Sequence, residues 1–156
     1  MEKLYEVRDF LEMRWRERAD EMGVNPDPLS IGMCGFSCAF LYRLLPKYVG
    51  GTWKIHGGIP LDESGAAIDA GGMQGCDGLW HGHYWLLLED DTIVDLTADQ
   101  FGHSRIVITG ADDERYLSNY SESEIDEQVK TFWRASEWMQ VWHQQNQPGT
   151  GFVMSS

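Results

Sequence analysis

Ser30-Ile31-Gly32-Met33-Cys34-Gly35-Phe36-Ser37-Cys38-Ala39-Phe40-Leu41-Tyr42-Arg43-Leu44-Leu45-Pro46 sets a cysteine between glycines and follows it with an apolar run. Phe36, Phe40, Leu41, Leu44 and Leu45 recur at helical spacing, Ser30 offers an N-cap and Pro46 a stop. The pattern predicts a largely buried helix with Cys34 in its first turn. Unpaired N–H groups and the positive end of the helix dipole gather there, and both favour a thiolate. Such a thiolate needs a base and a group to orient that base. The chain supplies candidates downstream, in His81-Gly82-His83-Tyr84-Trp85-Leu86-Leu87-Leu88 and in Ile93-Val94-Asp95-Leu96-Thr97-Ala98-Asp99-Gln100-Phe101.

Strand alternation puts His81, His83, Trp85 and Leu87 on one face, with Tyr84, Leu86 and Leu88 on the other. Thr92 to Leu96 reads as the partner strand across a loop of Glu89, Asp90 and Asp91. For His83 and Asp95 to share a face, that loop must hold an odd number of residues. Three residues make them diagonal cross-strand neighbours, within reach of an imidazole–carboxylate hydrogen bond. The order Cys34, His83, Asp95 then fits thiolate attack on an acyl carbon, with His83 as base and acid, Asp95 as orienter and helix-start N–H groups for the oxyanion.

The rest of the chain frames that core. Glu2 to Met22 predicts a surface helix with a stripe of Leu4, Val7, Leu11 and Trp15, stopped at Gly23. Thr52 to His56 reads as a strand closed by Gly57-Gly58, and Arg105 to Thr109 as another. The glycine-rich stretch between Gly57 and Gly82 is expected to flank or cover the cleft. Ser121 and Glu124 form a capping-box pattern opening a helix that runs through Ile125, Val129, Phe132 and Trp133 toward Trp142. Its tryptophans, Trp133, Trp138 and Trp142, are expected to pack onto the sheet. The expectation is α+β: one catalytic domain over 1–148, a flexible tail over 149–156, and helices packed on a small antiparallel sheet.

Composition narrows the function. With 25 acidic and 12 basic residues among 156, the formal charge is −13, which repels phosphate backbones and argues against a nucleic-acid partner. No apolar run approaches the length of a membrane span. Three cysteines and a charged start in place of a secretory h-region point to a reducing, cytoplasmic setting. No cofactor is called for.

Gly32-Met33-Cys34 with its following helix, His83-Tyr84-Trp85-Leu86 and Asp95-Leu96-Thr97-Ala98-Asp99-Gln100-Phe101 together resemble short phage and bacterial proteins of the papain-like and transglutaminase-like superfamily. The resemblance spans about residues 31–102. It implies a Cys34 helix packed on an antiparallel sheet carrying His83 and Asp95. Such proteins act on amides and thioesters as peptidases, glutamine deamidases, transglutaminases and arylamine acetyltransferases, here with a protein or peptide substrate, possibly basic. The chain departs from the papain signature in two ways: its cysteines are one residue further apart, and glycine stands at position 32 where a glutamine is expected.

Other readings stay open at this level. Cys38, one turn inside the helix, could be the nucleophile in place of Cys34. His81 and His83 with Cys76 or His103 could hold zinc, although no CxxC or HExxH accompanies them. His56 and His143 read as surface or core residues. Gln100 either reaches the cleft or closes a turn. The acidic surface also suits a catalytically silent binding or inhibitor protein.

Overall fold

The computed structural model describes residues 2–61 and 70–146; the tail expected over 149–156 and part of the glycine-rich stretch lie outside them. The chain is α+β. Helix α1 (Glu2–Met22) buries Leu4, Val7, Phe10, Leu11 and Trp15, and ends where Gly23 takes a φ of 68°. Helix α2 (Cys34–Tyr48) follows, then strands β1 (Trp53–Gly58), β2 (Gly72–Gln74), β3 (Trp80–His81), β4 (His83–Leu88) and β5 (Thr92–Asp95). A 3-10 turn (Ala98–Phe101) leads to β6 (Val107–Gly110), β7 (Tyr116–Leu117), α3 (Glu122–Val129) and α4 (Arg134–Asn146).

The main sheet is antiparallel in the order β1-β4-β5-β6, and a smaller sheet has the order β3-β2-β7. Leu86 opposes Val94 and Leu87 opposes Ile93, which leaves Glu89, Asp90 and Asp91 as a three-residue loop. Asp91 takes a φ of 66° and donates its N–H to Leu88 O at 2.9 Å, the left-handed closing position that three-residue hairpins use.

Both faces of the main sheet are covered. Leu86, Val94 and Leu96 join α1, α2 and α4 in one core, while Trp85, Ile93 and Val107 meet Met73 and Tyr116 of the smaller sheet in another. No helix of the described residues is long and apolar enough to cross a membrane.

Several expectations are corrected. Ser30 does not cap α2: Met33 holds that position without a side-chain bond, and the Ser30 hydroxyl donates to Asp99 Oδ1 at 2.6 Å. Pro46 does not stop the helix, because in the last turn it removes only one hydrogen bond. Val49 and Gly50 close the end by donating to Leu45 O. Gly57-Gly58 continues β1 where it was expected to end it. A Cβ on Gly58 would stand 2.5 Å from Leu117 O, so the glycines let the 116–120 segment cross the strand. The strand expected from Arg105 begins only at Val107.

The C-terminal helix is two helices. The capping box of Ser121 and Glu124 forms as read, but the chain turns at Thr131 and Phe132, which donate their N–H groups to Gln128 O and Val129 O. That break sends Phe132 against Gly35 and Phe36. Trp138 and Trp142 pack on Phe40 of α2, within the core that also takes in Leu86 and Val94 of the sheet, and Trp133 is exposed. The smaller sheet, which includes residues 72–74 and 80–81 of the glycine-rich stretch, left no periodicity to read because its strands are two or three residues long.

A buried ion pair fixes the geometry around the loop before α2. Arg8 of α1 donates to Leu96 O at 2.8 Å, Arg105 O at 2.7 Å and Asp99 Oδ2 at 2.8 Å, and its guanidinium lies over Trp15. Arg8→Met, which leaves Asp99 without its partner, should lower urea-unfolding stability by about 3–5 kcal/mol. A loss under about 1 kcal/mol, the range of exposed pairs, would show that Arg8 does not hold this region together.

Candidate functional site

The structure brings Cys34, His83 and Asp95 together. Cys34 is the first residue of α2, half-buried, at the end of a tight connection in which Gly32 adopts a φ of 75°. Gly35 behind it has no room for a side chain, since a Cβ would lie 2.5 Å from the Phe132 ring. His83 opens β4 and Asp95 closes β5, and both are buried on the same face of the sheet.

His83 Nε2 lies 2.7 Å from Asp95 Oδ2. A nitrogen this close to a buried carboxylate must carry the hydrogen, which fixes the tautomer and leaves Nδ1 for the thiol. Asp95 is held in turn: Oδ1 accepts from the Thr97 N–H at 3.0 Å and the Thr97 hydroxyl at 3.3 Å, and Oδ2 accepts from the Tyr116 hydroxyl at 2.8 Å. Phe101 sets its ring edge-on to His83 at 5.0 Å between centroids and stacks on His81 at 4.7 Å.

The charges follow from these contacts. Burial alone would push the Cys34 thiol up, but hydrogen bonding and charge from His83, with the Tyr84 backbone N–H, bring it below its ordinary value of 9.0. Burial opposes charge on His83 too, yet the Asp95 carboxylate and the Cys34 sulfur raise it from 6.5 to about 10. Asp95 is buried, which by itself favours the neutral acid; His83, Thr97 and Tyr116 outweigh that and hold it below 3.8. Both shifts run toward a thiolate–imidazolium pair beside a carboxylate. Cys38 has no such partner: it is buried, and burial followed by the Cys34 charge drives its thiol well above 9.0.

Other sequence candidates separate. Cys76 Sγ lies 3.5 Å from His103 Nδ1, His81 Nε2 lies 3.0 Å from Asp77 Oδ2, and His83 is paired with Asp95. The four side chains considered for zinc thus fall into three separate pairs, and among the described residues no group of three or more His, Cys, Asp or Glu converges as metal ligands would. His56 is partly buried and His143 exposed.

Gln100 reaches the triad: its Oε1 accepts from the Gly32 N–H at 3.2 Å and its Nε2 lies 3.5 Å from His83 Nδ1. Thr97 and Tyr116 were missed. Asp95-Leu96-Thr97 has the spacing of an Asx turn and was legible, whereas Tyr116 arrives from a two-residue strand 21 positions away and was not.

No protein-family model matches this chain, and no curated protein or solved structure matches it either.

Alkylation by iodoacetamide should titrate with a midpoint below pH 9 at Cys34 and above pH 9 at Cys38. His83→Ala leaves burial as the larger influence and should carry the Cys34 midpoint upward; an unmoved midpoint would separate His83 from the thiol. Stability should follow the same pair. His83 binds its proton more tightly folded than unfolded, so its contribution is full below about pH 6.5 and fades as pH rises toward about 10. The lowered Cys34 thiol acts in the opposite sense, adding stability as pH rises toward 9, so the urea midpoint should fall over that window more steeply in Cys34→Ala than in the parent, and least in His83→Gln.

Proposed function

We propose that this protein is a cysteine-dependent hydrolase or acyl-transfer enzyme that acts on an amide bond through Cys34, His83 and Asp95, on a papain-like or transglutaminase-like core. The observation that carries the proposal is the buried His83–Asp95 pair at 2.7 Å, whose free Nδ1 serves a thiol with a lowered pKa at the start of a helix.

The chemistry runs in two halves. The Cys34 thiolate forms a bond to the acyl carbon, and the carbonyl π electrons move onto oxygen, where first-turn N–H groups of α2 meet the charge. As the tetrahedral species collapses, the C–N bond breaks and His83 Nδ1 gives its proton to the departing nitrogen. A thioester remains on Cys34. Water, giving a proton to Nδ1, then attacks the thioester, and its collapse returns the thiolate and releases a carboxylic acid. Asp95 keeps its charge throughout, orienting the ring and stabilising the imidazolium.

If the leaving nitrogen is a peptide amine the enzyme is a peptidase; if it is ammonia from a glutamine side chain it is a deamidase. Protein or peptide substrates suit both, and a formal charge of −13 steers basic ones toward the surface. Three free cysteines fit a reducing, cytoplasmic compartment.

The test is acylation by p-nitrophenyl acetate, read as a stoichiometric burst and as an acetyl group on Cys34 in the intact mass. Cys34→Ala and His83→Ala should abolish the burst while remaining folded, and Asp95→Asn should slow turnover by about 10⁴-fold. A folded Cys34→Ala protein that keeps the parent's cellular effect would instead favour an acidic binding protein. With candidate partner proteins, glutamine-to-glutamate conversion identifies the deamidase and chain cleavage the peptidase.

A further inference from the structure

The side-chain amide of Gln100 spans from the Gly32 N–H, two residues before Cys34, to His83 Nδ1, the nitrogen that faces the thiol, without belonging to the triad. Its orientation is set by chemistry. The Gly32 N–H is a donor, so the Gln100 atom 3.2 Å away must be the oxygen, and the atom 3.5 Å from His83 Nδ1 must be the NH₂. That NH₂ has an acceptor only while His83 is neutral. When Nδ1 is protonated it carries a hydrogen and cannot accept, so the two donors face each other and the amide hydrogens are left free for another acceptor at the site.

Two further features prepare the group. Gln100 lies in the 3-10 turn (Ala98–Phe101), two residues from buried Ala98 and next to Asp99, which Arg8 and Ser30 hold. Its bond to Gly32 ties that turn to the connection entering Cys34, so the donor is positioned before substrate arrives. A donor fixed in advance at the place where charge develops is what stabilises an acyl-transfer transition state.

We propose that Gln100 is a catalytic residue whose Nε2–H donates to the acyl oxygen as Cys34 attacks, supplementing the N–H groups of the α2 first turn. This rests on the reading of Cys34 as an acyl-transfer nucleophile. As the Sγ–C bond forms and the C=O π electrons move onto oxygen, the oxygen takes the amide hydrogen bond; as they return and the leaving group departs, it gives the bond up. Gln100 loses no proton at any step.

The test compares two reactions of the same sulfur. Acylation by p-nitrophenyl acetate passes through an oxyanion, whereas alkylation by iodoacetamide is a displacement at carbon that forms none. Gln100→Met removes the donor at similar volume, and Gln100→Glu keeps an acceptor for the Gly32 N–H while removing the NH₂. Both should acylate on the order of 10²–10³-fold more slowly than the parent, with the alkylation rate of Cys34 unchanged at a pH where its thiolate is fully formed. Full acylation in Gln100→Glu would show that the residue is only an anchor for Gly32, and equal loss of both reactions would show a structural role; either overturns the proposal and leaves the triad standing. A parent that alkylates rapidly at Cys34 but never acylates would overturn the acyl-transfer reading, and the Gln100 role with it.

Discussion

The guanidinium of Arg8 is the interaction on which the arrangement around the site depends. It is buried, and a buried charge is tolerated only when its donors are met. Leu96 O, Arg105 O and the Asp99 carboxylate meet those of Nη1 and Nη2, leaving only Nε without a partner, and Ser30 bonds the same carboxylate. Three parts of the chain that share no secondary structure are thereby joined: α1, the turn leaving β5, and the connection entering α2. Trp15, beneath the guanidinium, adds a bond from its Nε1 to the Ser37 hydroxyl at 2.9 Å, one turn along α2 from Cys34. The nucleophile candidate and the turn carrying Gln100 are thus referenced to one ion pair, itself away from the chemistry.

The second constraint is that the main sheet is covered on both sides. An antiparallel sheet with one wet face would leave His83 and Asp95 exposed to water, where an ion pair contributes little. The smaller sheet closes that face, and Tyr116 supplies the hydroxyl that occupies Asp95 Oδ2 beside the imidazole. Burial would by itself neutralise these groups. Because every charged atom has a partner, it instead strengthens the imidazolium and the thiolate, while Cys38, lacking one, is held as a thiol.

What could be read from the chain were the features set by local rules. Helical periodicity gave α1 between Glu2 and Met22 and put Cys34 at the start of its helix. Strand alternation and the parity of a three-residue loop placed His83 and Asp95 on one face. The capping box at Ser121 depends on residues three apart and formed as expected. Where the local rule was right but another partner was available, the reading slipped: Ser30 is a good cap residue, but Asp99 binds its hydroxyl.

Tertiary structure alone decided the rest. Nothing near position 8 marks Arg8 as buried, because its partners lie about 90 residues away. The break between α3 and α4 follows from Phe132 finding space beside Gly35, and the smaller sheet exists only because segments from 72 to 117 pair across the molecule. Periodicity and capping act within one or two turns of the backbone, so the sequence by itself determined which elements form and which faces their side chains take. The charge state of the thiol and the reach of Gln100 depend on burial and on hydrogen bonds between distant segments, and those come into being only when the layers close on one another.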